Sequence, residues 1–252
     1  MKFDGYTFQA RIIPSIVFLI PIIVELNYVF AKLNYNITIT LPIINIATLC
    51  FVMIFANWVR YLGRKREKEL FKLWGGAPTT RFLRYNNEEF NPQLKGQVKH
   101  YLKVMFNKIK FPKEDFEKQN PEQADKVYEV YVANIRSLTR DNKKFKLIWV
   151  ENKNYGMWRN LYGIKKLALV EIGFLIIANM FLAIFCESLF FANEVIAIDL
   201  FYFADLIMWV FIVTEKRVKD VANCYTERLF EAVIMLNDGR GIQNERKNKR
   251  AD

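Results

Sequence analysis

Histidine is almost absent: His100 is the single one among 252 residues. Cysteine is scarce as well, with Cys50, Cys186 and Cys224. Zinc needs a full set of N and S donors. With one imidazole, and with Cys50 and Cys186 inside long apolar runs, that set cannot be assembled. The thiols offer no disulfide framework, and Cys224 falls in a tail expected to face a reducing cytosol. No Ser/His/Asp arrangement, Gly-x-Ser-x-Gly elbow, dinucleotide fingerprint or Gly-Lys-Ser/Thr phosphate loop occurs. His100 sits beside Lys99 and Tyr101 on an expected amphipathic helix, the ordinary setting of a solvated or partly packed imidazole. The seven prolines and ten glycines form no linker, and no repeat is visible. On these absences the chain is read as a non-enzyme with neither cofactor nor metal.

Positive charge is also missing from particular places. Four apolar stretches interrupt the chain: Ile12–Ala31, Leu41–Val59, Leu167–Phe191 and Val195–Val213. Each approaches the ~20 residues that cross a bilayer as a helix. Of 37 Lys and Arg, 25 lie between the second and third stretch, nine follow the fourth and two precede the first. Lys32 alone falls in a segment assigned to the other side. Cytoplasmic loops keep positive charge and translocated loops lose it. The expected topology therefore has both termini and the central insertion in the cytoplasm.

The expected fold is mainly α: a polytopic membrane protein with a mostly helical cytosolic domain between its second and third transmembrane helices. It divides into an N-terminal helical hairpin (1–59), a basic cytosolic domain (60–166), a second hairpin (167–213), and a cytosolic amphipathic helix with a basic tail (214–252). The first apolar run is too long for a signal peptide and lacks a small-residue cleavage site. Pro21 inside it is expected to kink the helix. Trp58, Tyr61, Tyr28 and Tyr35 stand where interfacial anchors belong.

The insertion carries 25 basic and 12 acidic residues, a net charge of +13. Helices are expected over Arg60–Trp74, over Pro92–Lys110 and after the Asn120-Pro121-Glu122 start signal. The last should place Ala124, Val127, Tyr128, Tyr131, Ile135 and Leu138 on one stripe. Phe145–Val150 is short, aromatic and branched, and reads as a strand. Thr214–Leu236 continues the fourth span with an apolar stripe suited to docking on the insertion or on a second subunit. Gly239 and Gly241 are expected to end it before a disordered tail.

Two stretches of the insertion escape helix periodicity. Trp74, Gly75, Gly76, Pro78, Thr79, Thr80, Arg81 and Arg84 fall in WGGAPTTRFLR. Two glycines free the backbone, a threonine can cap the next helix, and two arginines can take an anion. The ordinary reading is a helix break and restart. In ENKNYGMWRNLYGIK, Asn152, Asn154 and Asn160 can hydrogen-bond a base, Tyr155 and Trp158 can stack, and Arg159 can pair with an anion. The ordinary reading is a juxtamembrane segment anchored by Lys165 and Lys166. Together with Thr139-Arg140-Asp141 and F-x-L, these motifs resemble an uncharacterised family of bacterial four-span membrane proteins associated with antiviral defence islands. The likeness covers the insertion better than the spans. It implies a bacterial inner membrane and a cytosolic recognition domain, and no catalytic residues.

Acids in the spans form the remaining signal. Glu171 is expected to reach Lys165 or Lys166, and Glu187 and Asp199 to be wetted near the outer end. Glu25 and Asp205 lie deeper, where an ionised acid is costly and usually faces the bundle interior or water. They read either as an ion path or as acids bonded across helices to Asn179, Asn45 or another polar side chain. The leading expectation is a protein whose basic domain senses a nucleotide or nucleic acid and couples it to the bundle, as an antiviral effector or sensor. A small ion channel or transporter, and a membrane scaffold, are the alternatives. The expected partners are the lipid bilayer, further copies of the chain, the anionic ligand and a protein encoded nearby.

Overall fold

The computed structural model describes residues 4–33, 37–186 and 192–248. Every regular element among them is helical. A turn of helix α1 (Gly5–Thr7) is capped by Asp4, whose side chain accepts from the Thr7 N–H at 2.8 Å. A π-helical turn over Phe8–Ile12 leads into α2 (Ile13–Lys32). The chain continues with α3 (Ile37–Leu73), α4 (Pro78–Leu83), α5 (Pro92–Met105), α6 (Glu114–Gln119), α7 (Pro121–Leu138), α8 (Lys146–Phe185), α9 (Ala192–Ile207), a π-helical turn over Met208–Ile212, and α10 (Glu215–Asn248). Four helical stretches are long and apolar enough to cross a membrane: Gly5–Lys32, Asn45–Leu83, Lys146–Phe185 and Asn193–Ile212. At ~1.5 Å per residue, α3 and α8 are each about 55–60 Å long. Both therefore exceed the ~30 Å of hydrocarbon.

The chain forms two compact units. The first comprises residues 1–69 and 153–219, the second 70–152 and 220–252. The second unit is thus narrower than the expected 60–166 domain, because α3 and α8 run unbroken through its borders. It also takes in most of α10, which the sequence set apart.

In the first unit α2, α3, α8 and α9 pack around Leu19, Phe55, Val59, Ile164, Ile172, Tyr202 and Trp209. Phe18 of α2 stacks on Phe55 of α3 with ring centroids 5.0 Å apart. Helices α3 and α8 touch backbone to backbone, since a Cβ on Gly163 would stand 2.5 Å from the Gly63 Cα. Small residues allow this close approach, which is how membrane helices gain van der Waals contact. Beyond that contact, the side of α8 turned away from buried Ile164, Ala168 and Ile172 exposes Val170, Phe174, Ile177, Phe181 and Ile184, a row of helical spacing. Such a face requires an apolar neighbour, lipid or another helix.

The second unit has its own core of Phe82, Leu83, Val98, Leu102, Tyr128, Tyr131, Ile135, Leu229, Phe230 and Val233. Phe82 of α4 stacks on Phe230 of α10 at 4.1 Å and 15°. The apolar stripe of α10 therefore docks on the inserted segment. On α7 the expected stripe is buried at Ala124, Tyr128, Tyr131 and Ile135, while Leu138 is exposed.

Three local expectations change. Phe145–Val150 is no strand: α8 begins at Lys146, one residue after a buried Phe145. Span four does not continue into the tail helix, because Val213 leaves helical geometry at ψ 79°. Thr214 then starts α10 afresh, its Oγ1 accepting from the Arg217 N–H at 3.2 Å. Helix α10 passes Gly239 and Gly241 and continues to Asn248. Pro21 lies within α2 without ending it. Tyr35 and Glu187 lie outside the described residues.

Candidate functional site

The WGG segment is a helix C-cap. Gly76 N–H donates to Phe71 O at 2.7 Å and Gly75 N–H to Lys72 O at 3.2 Å. This is the pairing of a Schellman cap, with Gly75 in the left-handed region at φ 74°. Trp74 closes it and is buried. Pro78 opens α4 rather than merely stopping α3. Neither threonine caps α4: Ala77 holds that position, and Thr79 and Thr80 are buried inside the helix.

The arginines of this stretch already have partners. Arg84 forks onto Asp125, donating from Nε at 2.8 Å and from Nη2 at 2.5 Å. The hydrogen-bonded carboxylate holds the guanidinium above its ordinary value. Gly76 permits this fork, since a Cβ there would meet Arg84 Nη2 at 2.9 Å. Arg81 pairs with Glu89 at 2.6 Å. Both arginines expected to take an anion thus stand beside acids of the protein, while Arg81 Nη1 is buried without a hydrogen-bond partner.

The second stretch lies in helix. Asn152 is half-buried and belongs to the second unit, while Tyr155, Arg159 and Asn160 belong to the first. Arg159 is buried and donates through Nη1 to both oxygens of Glu67, at 3.3 and 3.4 Å. Tyr155 Oη donates to Glu67 Oε1 at 2.5 Å. Asn160 is wholly buried; its Nδ2 donates to Ala10 O at 2.5 Å and its Oδ1 accepts from Arg159 Nε at 3.3 Å. Glu67 was not foreseen. It gathers Tyr155 and Arg159 against α3, and the cluster ties the N-terminal segment to α8 through Ala10. The structure thus brings Tyr155, Arg159 and Asn160 together, but as an internal network.

A different group stands open. Spans one, three and four bring acids and polar side chains into the first unit's interior in three layers. At one end Tyr28 Oη donates to Glu194 at 3.4 Å, and Lys32 forms an ion pair with the same carboxylate. In the middle, Tyr202 Oη donates to Glu25 Oε2 at 2.8 Å and lies 3.2 Å from Pro21 O. Beside them Asn179 Nδ2 donates to Asp199 Oδ1 at 2.9 Å, near Glu25. In the third layer the buried carboxylate oxygens of Glu171 make no hydrogen bond within the protein, and neither does Asp205 Oδ2. The two carboxyls lie near enough for their charges to repel. Trp209 Nε1 is within electrostatic reach of Asp205 without meeting hydrogen-bond geometry.

Spacing explains the alignment. Asp199, Tyr202, Asp205 and Trp209 recur at three, six and ten residues, on one side of α9 and the following π turn. Glu171 and Asn179 are eight apart on α8, so the second and third layers are about 12 Å apart along that helix. Glu171 was expected to pair with Lys165 or Lys166. Instead Lys165 Nζ donates to Val210 O at 3.1 Å and Val213 O at 2.8 Å, satisfying carbonyls freed where span four ends. Asp199, expected to be wetted, is partly exposed and accepts from Asn179 as well.

Among the described residues no three acids, histidines or cysteines converge in metal-binding geometry. In the first two layers each acid instead takes one donor or two, a hydroxyl, an amide or an ammonium, while the buried oxygens of Glu171 and Asp205 Oδ2 in the third take none from the protein. That arrangement suits proton exchange better than multiply coordinated cations. No family model matches this chain, and no similar curated protein or solved structure was found.

Proposed function

We propose that this chain is a multi-pass membrane protein that passes protons through its bundle by way of the acids of spans one, three and four. The reading places it in a bacterial inner membrane, with both termini and residues 70–152 on the cytoplasmic side, following the distribution of its lysines and arginines. One observation carries it: Glu171 and Asp205, within electrostatic reach of each other, carry buried carboxylate oxygens that no protein donor satisfies. A buried carboxylate oxygen without a protein donor requires a proton, a cation or water. Tyr202 and Glu25 extend the series toward Glu194 at the other end of the spans.

Reconstitution into liposomes loaded with a pH-sensitive dye tests it. A potassium diffusion potential should drive proton entry through the wild type. Asp205→Asn and Glu171→Gln should each reduce the rate at least about tenfold, because an amide cannot release the proton. Wild-type flux from a correctly assembled Asp205→Asn protein would leave Asp205 as a structural side chain and remove this reading.

The ligand-sensing reading has less support. Arg81, Arg84 and Arg159 are all engaged by internal acids. The resemblance to membrane proteins of defence islands is compatible with a proton leak that de-energises the cell. Expression toxicity that disappears with Asp205→Asn would join the two.

A further inference from the structure

Where spans two and three leave the apolar region, the Gly63–Gly163 contact is bordered by a cleft of about 390 Å³. This falls among the sizes of small-ligand sites, roughly 300–1,000 Å³. Leu62, Lys65, Arg66, Tyr162, Lys165 and Lys166 supply most of its wall. Four cations therefore face one acid, Glu69, and that acid is already held by Arg66. Lys165 is committed to the carbonyls of Val210 and Val213. Lys65 and Lys166 are exposed and make no hydrogen bond or ion pair among the described residues, although both lie in the field of Glu69. The Arg66 guanidinium stands 5.3 Å from the centre of the Tyr162 ring.

We propose that this cleft binds the phosphodiester headgroup of an anionic phospholipid. Lys65 and Lys166 contact the phosphate, with Arg66 and Tyr162 behind them, and Leu62 and Leu169 meet the glycerol and upper acyl carbons. A phosphate on a soluble molecule has the same charge chemistry. The lipid is favoured because the cations and the apolar wall share one cleft, at the level where each span passes from apolar to charged sequence. Basic pockets between membrane helices at the cytoplasmic side take anionic headgroups in this way. The proposal rests on the membrane reading above and is independent of proton transfer.

The test uses the full-length protein in nanodiscs of phosphatidylcholine containing a minor fraction of phosphatidylglycerol. Native mass spectrometry then counts the lipid that stays bound on release into detergent. Wild type should retain phosphatidylglycerol in preference to phosphatidylcholine. Lys65→Gln with Lys166→Gln should weaken retention about 25-fold, about fivefold for each charge. Lys65→Arg with Lys166→Arg should restore it. Lys108→Gln with Lys110→Gln, which removes the same charge elsewhere, should leave it unchanged. The proposal fails if the Gln pair retains phosphatidylglycerol like wild type, if the Arg pair loses as much as the Gln pair, or if the control pair loses as much. Displacement of the lipid by millimolar inorganic phosphate or ATP would assign the cleft to a soluble phosphate and overturn the lipid. Recovery of protein in the nanodiscs reports membrane insertion separately, so failure there is not confused with failure of the cleft.

Discussion

Lys99 shows how one buried charge sets a pH dependence. It lies half-buried with its Nζ 3.6 Å from the centre of the Tyr85 ring. Burial, with Lys95 and Lys103 nearby, pushes its ammonium down from 10.5 to about 8, against the opposing pull of Glu117 and Glu114. The folded state thus binds this proton less readily than the unfolded chain. Its penalty is full below about pH 8 and fades as pH rises toward 10.5, so stability attributable to Lys99 increases across that window. Lys99→Met should melt above wild type at neutral pH, with the gap closing by about pH 10. A melting difference that stays constant over that range would show that the ammonium is not the cause. At the same scale, Arg84→Met should cost about 1–2 kcal/mol, because it leaves Asp125 without its half-exposed partner. Adding Asp125→Leu should recover part of the loss, and thermal unfolding of the three variants decides it. Equal losses from the single and double variants would remove the fork as the source.

Helices were the legible level, and side-chain partners were not. The apolar runs, the start of α7 at Pro121 and the stripe Ala124–Tyr128–Tyr131–Ile135 follow from periodicity and capping that any reader of the chain can find. Phe145–Val150 misled because a short aromatic, branched run fits a strand or a buried helix start equally well. The arginines misled for another reason. A sequence shows that Arg84 can take an anion, but not that Asp125, 41 residues away, already supplies one. Glu67 stayed hidden as one charge among many on an exposed-looking helix. Glu171 was visible, but it was matched to the nearest lysines in sequence rather than to Asp205 across the bundle. The glycine contact between α3 and α8 gives an element-scale prediction. Gly163→Val must push the helices apart and should cost about 1–3 kcal/mol, lowering the melting temperature in detergent by about 5 °C. Gly96→Val, where nothing lies within 4 Å of an added Cβ, is the comparison: it brings only a small helix-propensity gain. Equal melting shifts would mean that the close approach is unimportant.

For the molecule as a whole, sidedness is the quantity that orders everything else. Reporter tags at either end and at residue 120 should be cytosolic, and a cysteine in place of Asn34, outside the described residues, should react with a membrane-impermeant reagent added from outside. External access to residue 120 would invert the arrangement and move the basic cleft to the opposite leaflet.

The stack of Phe82 on Phe230 has a consequence for biogenesis. About 80 residues separate Asn152 from Phe230, and a ribosome needs about 4–16 s to add them. During that interval the third and fourth apolar helices emerge, while the Phe82 side of the earlier-made segment is still uncovered. The second unit therefore completes its core only once α10 has been made, and each nascent chain passes through a stage in which a half-finished domain lacks its own C-terminal helix. On the membrane reading proposed above, a chain stalled before α10 would leave bare the aromatic surface that Phe230 covers.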